Sequence, residues 1–395
     1  MKNLVVSLLI ISVIGVIGFA LVSQAGSEPT ARKIIVFKPG VEELEKEALV
    51  NTVGGTEIKH LRLINGKAAL LSKSAEETLL KDPAVSRIDD DVEVFALARP
   101  IKIEAKPKSQ PAQVLPWGVD RIDAELAWAT TTANPIKVAI IDTGIDVKHP
   151  DLKDNIKGGV STVWYTTSYN DDNGHGSHVA GIAAALDNTI GVIGVGPQID
   201  LYSVKVLDRR GSGYLSDVIE GLDWVITNGM DVVNMSLGTT DNILSFQEAV
   251  QRVNAAGIVQ VAAAGNSGGA VIYPAAYPEV IAVSATDNTN TIASWSSRGP
   301  EVDLAAPGVS IYSTYKGQSY KTLSGTSMAS PHVAGSAALV LSTPISAAYD
   351  TDSDGIWDPN EAQKKLQDRA TDLGAIGFDN LYGWGLVNAY NAVQP

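Results

Sequence analysis

Between Lys137 and Val283 the sequence repeatedly sets a short run of apolar and β-branched residues ahead of a longer segment with helical spacing, and this alternation restricts the architecture more than any other feature. The runs at 137–141 (KVAII), 201–206 (LYSVKV), 231–235 (DVVNM), 258–263 (IVQVAA) and 280–283 read as strands buried on both faces. Helical patterns at 179–186, 215–228 and 245–256 separate them. Strands of that kind joined through helices predict an α/β fold, a mostly parallel sheet flanked by helices. In such sheets chemistry collects beyond the carboxyl ends of the strands.

Three segments occupy positions of that kind. Ile141-Asp142-Thr143-Gly144 ends an apolar strand on an acid; Asn173–Gly181 (NGHGSHVAG) sets His175 between glycines at the mouth of an Ala-rich helix; Gly325–Gly335 (GTSMASPHVAG) brings Ser327 into a helix among small residues. Taken singly, Asp142 reads as a turn former, and His175 and Ser327 as helix caps. Together they supply a hydroxyl nucleophile, an imidazole to take its proton and a carboxylate to hold the imidazole's tautomer, the parts of nucleophilic acyl transfer. A fourth segment, Ala262–Gly268 (AAAGNSG), offers the Asn266 amide to a developing oxyanion, with the Ser327 backbone N–H as its partner.

Composition removes competing chemistries. The chain has no cysteine, so thiol catalysis, disulfides and thiolate metal sites are excluded. A net charge of −14 argues against nucleic acid as a partner and favours metal cations. The acidity belongs to the second part of the chain, where residues 112–395 hold 15 Lys+Arg and 30 Asp+Glu. His178 follows His175 by three positions on one helix face, and no third ligand accompanies the pair.

The first 25 residues combine Lys2, an uncharged apolar run from Leu4 to Val22, and small residues at Ser23-Gln24-Ala25. This reads as a secretory signal and an extracellular destination, with an uncleaved membrane anchor as the alternative. Residues 26–97 alternate as βαββαβ, the split ferredoxin-like motif of a small independent α+β domain, with a capping box at 74–77 opening its second helix and a closing strand over 85–95. Residues 98–111 are rich in proline and lysine and read as an exposed linker open to proteolysis, so that 112–395 forms the main domain of a two-part precursor.

Residues 350–361 fit the twelve-residue EF-hand loop. Asp350, Asp352, Asp354, Asp358 and Glu361 stand at positions 1, 3, 5, 9 and 12, Gly355 at 6, and Ile356 at the carbonyl position 7. A solvated acidic loop is the alternative reading.

The segments VAIIDTGID, NGHGSHVAG, VVNMSLG, AAAGNSG and GTSMASPHVAG resemble the successive signatures of subtilisin-like serine proteases, over essentially Gln113 to the C-terminus. The resemblance implies Ser327 as nucleophile, His175 as general base and then acid, Asp142 as its orienter and Asn266 as oxyanion donor. Ser177 departs from it, standing where the family usually has Thr. It further implies substrate strands pairing with Gly211-Ser212-Gly213 and Ser236-Leu237-Gly238. The first specificity pocket would be lined by Ala263, Ala264, Gly265 and Ile272, with Ile272 in place of a common glycine making it shallow. A tight Ca²⁺ site is implied at Gln113, Asp151 and Asn188 through side-chain oxygens and at Leu186, Ile190 and Val192 through carbonyls, and a weaker cation site at Glu301 and Asp303. The small domain resembles the subtilisin propeptide, a chaperone and inhibitor, with self-cleavage after Leu97 and junctions up to Pro111 open. The expectation is a secreted, monomeric, calcium-dependent serine endopeptidase of broad specificity that binds two or more Ca²⁺ and acts on proteins and peptides. A narrow processing protease and a catalytically silent, calcium-stabilised binding protein are the alternatives.

Overall fold

The computed structural model describes residues 28–97, 99–100 and 109–395. The expected signal segment lies outside them, as does most of the expected linker. Strands β1 (Thr30–Phe37), β2 (Thr56–Leu61), β3 (Gly66–Ser72) and β4 (Val85–Asp90) form a sheet in the order β2-β3-β1-β4, covered by helices Glu43–Thr52 and Lys73–Leu79. Its pairings are antiparallel. The two-residue period of β1 divides its side chains between two cores. Ile35 and Phe37 pack with Val50, Leu71 and Leu79 inside the small domain, whereas Ile34 and Val36 share a core with Leu215, Val218 and Phe246 of the large one.

Two local expectations are corrected. The second helix is capped by Ser72, whose Oγ accepts from Ala75 N, while the Ser74 hydroxyl bonds Glu28. The closing strand does not run on to Phe95. It stops at Asp90 because the Asp91 carboxylate turns to accept from Ser216 N at 2.8 Å and Ser216 Oγ at 2.9 Å, in the first turn of helix Leu215–Thr227. Asp89 likewise accepts from Ser245 N and Oγ at the start of helix Leu244–Ala255. Both carboxylates thus meet the positive, donor-rich ends of helices belonging to the other domain. Beyond them the chain continues as β5 (Glu93–Ala96) and β6 (Arg99–Pro100).

The large domain contributes β7 (Lys137–Asp142), β8 (Ile156–Ser161), β9 (Asp200–Lys205), β10 (Ser212–Tyr214), β11 (Val232–Met235), β12 (Leu237–Gly238), β13 (Val259–Ala263), β14 (Ile281–Thr286), β15 (Leu304–Pro307), β16 (Ile311–Tyr315) and β17 (Ser319–Ser324). Seven of these form one sheet, β15-β14-β13-β11-β7-β9-β8, parallel at every pairing. Val138 and Ile140 of the inner strand β7 face a core with Val179 and Met328, from helices His175–Ala184 and Thr326–Leu341. Ala139 and Ile141 face the opposite core with Leu215 and Phe246. Parallel strands buried on both faces are what the continuous apolar runs encode.

Asp303 was expected to bind a cation and instead ties the structure internally. Its carboxylate accepts from Ala282 N at 2.8 Å and from the side-chain amides of Gln363 and Gln367 at 2.9 and 3.0 Å, fastening helix Pro359–Asp368 to the sheet edge. Glu301 is exposed. Burial pushes the Asp303 carboxyl from 3.8 up to about 6. The folded chain therefore binds more protons at this group than the unfolded chain between pH about 4 and about 6, and its contribution to stability falls as the pH rises through that window. Urea unfolding followed across those pH values should show the wild type losing stability relative to Asp303→Asn as the pH increases. Parallel profiles would show that Asp303 titrates normally.

Candidate active site

Asp142 is the last residue of the inner strand β7 and is fully buried. His175 opens its helix, and the preceding Gly174 has φ +114°, with the Tyr315 ring 2.2 Å from where a Cβ would stand. Only glycine can fill that position without displacing the ring. The His175 ring nitrogen Nδ1 lies 2.8 Å from both carboxylate oxygens of Asp142. Its Nε2 is buried and has no hydrogen-bond partner among the described residues. Asp142 is held in turn by Thr143 N at 2.6 Å.

Asp171, which the sequence reading missed, organises the loop between these two residues. One carboxylate oxygen accepts from Thr143 Oγ1, Asn173 N and Gly174 N, and the other from Ser177 N and Oγ, over 2.7–2.9 Å. The Ser177 side chain acts here through its hydroxyl, which also accepts from Asp146 N, so the missing methyl of the usual threonine leaves these bonds intact. A fully buried ammonium reinforces the same turn, since Lys205 Nζ donates to Thr143 O, Leu207 O and Asp172 Oδ1. In the sequence Asp171 is the first of two adjacent acids ahead of Asn173. Its convergence with Thr143 exists only after β7 and the His175 helix meet.

Ser327 sits in the first turn of the long helix Thr326–Leu341. That turn is anchored to β11 by Ser236 Oγ donating to Ser327 O, with Asn234 Nδ2 donating to Ser236 Oγ and Ser330 Oγ donating to Asn234 Oδ1. Asn266 faces it across the cleft. The Asn266 Oδ1 accepts from Thr326 N at 2.9 Å and Thr326 Oγ1 at 3.0 Å, which orients Nδ2 outward as a donor.

The group that these donors meet comes from the chain itself. Leu97 O accepts from Asn266 Nδ2 at 2.7 Å and from Ser327 Oγ at 2.5 Å. The Ser327 backbone N–H, expected as the second donor, is not among the described groups bonding this oxygen. Ahead of Leu97, β5 lies between β10 and β12, antiparallel to both, with Phe95 opposite Ser212 and Gly238 and Ala96 opposite Leu237. Ala96 N donates to Gly211 O, and Leu97 N to Ser236 O. Beyond Leu97, β6 pairs antiparallel with β17, Arg99 opposite Ser324. Gly211, Ser212, Gly213, Ser236, Leu237 and Gly238 are thus brought to one cleft. Ile272 backs it: its N–H donates to Ala264 O, and its side chain lies 2.7 Å from where a Cβ on Gly238 would stand and 3.3 Å from one on Gly265.

His178 is fully buried with Nε2 2.9 Å from Lys321 O, and burial holds its pKa at about 3, so the ring is neutral and occupied by backbone carbonyls.

The residues expected to hold cations form two groups. Gln113 Oε1 accepts from Asn188 N, and the buried Asp151 carboxylate accepts from Asn188 Nδ2, Val192 N and Tyr320 OH. Asp151 has no cationic partner among the described residues, and burial pushes its carboxyl up to about 6. The carbonyls of Leu186, Ile190 and Val192 accept no hydrogen bond among the described residues. A buried uncompensated carboxylate beside open carbonyls is an oxygen-only donor set of the kind that suits a hard cation. In the second group, carboxylate oxygens of Asp350, Asp352 and Glu361 lie within 4.8 Å of one another. Gly355 has φ +78°, Asp354 N and Gly355 N donate back to Asp350, and Ile356 N to Asp354. Asp358 instead caps helix Pro359–Asp368 by accepting from Glu361 N.

The Subtilase family profile matches residues 133–385. The chain is 42% identical over 372 residues to a thermostable alkaline protease of Halalkalibacterium halodurans, covering 94% of each chain. It is 41% identical over 381 residues to subtilisin E of Bacillus subtilis, covering 94% of this chain and 92% of that one, and 41% identical over 384 residues to subtilisin J of Geobacillus stearothermophilus, covering 94% and 93%. A family profile spanning most of the large domain, together with relatives alike over nearly their whole length, places this chain in the subtilase family as a serine endopeptidase.

Proposed function

We propose that this protein is an exported, calcium-stabilised serine endopeptidase of broad specificity, made as a precursor that cuts itself after Leu97. The observation that carries the reading is the Leu97 carbonyl held by Asn266 Nδ2 and Ser327 Oγ, with the chain strand-paired on both sides of it. Ser327 Oγ attacks the Leu97 carbonyl carbon, and its proton passes to His175 Nε2, the ring nitrogen left open when Nδ1 is committed to Asp142. Negative charge gathers on Leu97 O, where Asn266 already donates. The intermediate collapses as His175 Nε2 returns the proton to the amine of Ala98, leaving Leu97 esterified to Ser327. Water, deprotonated by His175, then releases the Leu97 carboxylate and restores the hydroxyl.

Strand pairing through backbone recruits any extended peptide with little side-chain demand, which supports broad specificity. The cut small domain remains an inhibitor through contacts that do not depend on the scissile bond: the caps from Asp89 and Asp91 and the ion pairs of Arg62 with Asp223 and Arg87 with Glu248. No helix among the described residues is long and apolar enough to cross a membrane, and export rests on the segment 1–25. Calcium would be held by Gln113, Asp151, Leu186, Asn188, Ile190 and Val192, fastening the start of the large domain to a protruding loop, and by Asp350, Asp352, Asp354, Ile356 and Glu361. Bound there it neutralises carboxylates that otherwise repel, and takes no part in the proton transfers.

Intact mass followed against time for residues 26–395 in calcium should show a split after Leu97 that is absent in folded Ser327→Ala; a wild type that stays whole rejects self-processing. Chelation of the mature enzyme should lower Tm by about 10 °C for ions held near a thousandfold above Kd. Asp151→Ala and Asp350→Ala should each reduce bound calcium by one ion in equilibrium dialysis, and unchanged stoichiometry rejects the corresponding site. Replacing Ile272 by Gly should raise kcat/KM for Phe relative to Leu before the scissile bond by about tenfold. No change in that ratio would remove Ile272 from the pocket.

A further inference from the structure

The cavity that shares His175 with the catalytic constellation differs in charge from the domain around it. Acids outnumber bases two to one over residues 112–395, at 30 to 15. Yet the space of about 350 Å³ bordered by Ala96, His175, Arg210, Gly211, Tyr315 and Lys321 holds one arginine and one lysine and no carboxylate. Ala96 is the second residue before the bond at Leu97. Its Cβ lies 3.5 Å from where one on Gly211 would stand, so the methyl is held against one wall and the remaining space is left open to a longer side chain.

Both cations have local contacts, with the Arg210 side chain 79% exposed. Lys321 Nζ lies 4.7 Å from the centroid of the Tyr315 ring, and Tyr315 OH is bonded to Asn173 O in the loop that carries His175. Lys321 forms no ion pair among the described residues. Arg210 donates through Nε to Asp208 at 3.0 Å and through its backbone N to the other Asp208 oxygen. Its terminal guanidinium nitrogens have no hydrogen bond among the described residues. Asp208 itself is turned into its loop, accepting also from Ser212 N.

Resting on the reading of the cleft given above, we infer that Arg210 and Lys321 select substrates with an acidic side chain at the second residue before the scissile bond. A glutamate there replaces the Ala96 methyl and extends its carboxylate into the cavity toward Lys321, which forms no ion pair among the described residues, and toward Arg210, whose Nε pairs with Asp208 while its terminal nitrogens have no hydrogen bond among them. Electrostatic complementarity of this kind sets preference among peptides that the backbone pairing accepts equally.

The test uses the mature enzyme obtained from the full chain and peptides identical except at that position, with leucine before the scissile bond. Glutamate should exceed its neutral isostere glutamine in kcat/KM by about five- to tenfold at low ionic strength, the size expected of partly exposed charges, and lysine should fall below glutamine. The glutamate-to-glutamine ratio should shrink in 0.5 M salt at about a 4 Å Debye length. In Arg210→Gln/Lys321→Gln it should approach one, with each variant's ratio serving as its own internal reference. A wild-type ratio of one or less, or a ratio that survives the double substitution, overturns the inference. Cleavage of the glutamine peptide by the wild type and its loss after an organophosphate labels Ser327 keep the protease reading intact in that event, whereas failure to cleave any peptide rejects the protease reading first.

Discussion

Asp142 and Asp171 are buried beside one another, and a buried carboxylate is tolerated only when donors surround it. Desolvation raises the Asp171 carboxyl, and five hydrogen bonds from Thr143, Asn173, Gly174 and Ser177 act against that shift. Meeting this requirement wraps the turn after β7 and the start of the His175 helix around one point. Thr143 serves both carboxylates, through its N–H to Asp142 and its hydroxyl to Asp171. Its hydroxyl also accepts from Gly176 N. Displacing any of these groups would leave a buried donor or charge unpaired, so the His175 ring is held against Asp142 by the cost of every alternative arrangement.

The parallel sheet supplies the frame for that arrangement. Because all seven strands run the same way, β7, β11 and β13 deliver Asp142, Ser236 and Asn266 to one end of the sheet. The helix Thr326–Leu341 packs beneath that end and presents Ser327 in its first turn. The small domain is complementary to the same frame. One face of its sheet closes over helices Leu215–Thr227 and Leu244–Ala255, and its two acids reach their N-termini, so the segment from Glu93 to Leu97 enters the cleft already extended.

Much of this was legible in the sequence because it depends on local chemistry. Continuous apolar runs mark strands buried on both faces, and the five strands read from them all lie in the sheet, four within one residue of their expected ends and the fifth running on to Thr286, three residues past Val283. The βαββαβ order of the small domain followed from period-two and helical spacing in the same way. β8, with two glycines in Ile156–Ser161, and β15, a four-residue run ending at Pro307, lacked that signature and were not anticipated. The break after Asp90 was equally hidden, since nothing within residues 85–95 reveals that a helix from another domain draws Asp91 aside.

The sequence by itself determined the residue types of an acyl-transfer site, the sheet that carries them and an oxygen-rich loop at 350–361, because short-range order and side-chain chemistry are properties of neighbouring residues. Tertiary structure decided what depends on convergence of distant segments. It turned Asp303 from a candidate ligand into an internal tie, made Asp171 and Thr326 the supports of His175 and Asn266, and collected Arg210 and Lys321 around one cavity. Those roles require donors and charges separated by tens to hundreds of residues to meet in space, and the distance between them is set only when the sheet and its helices have packed.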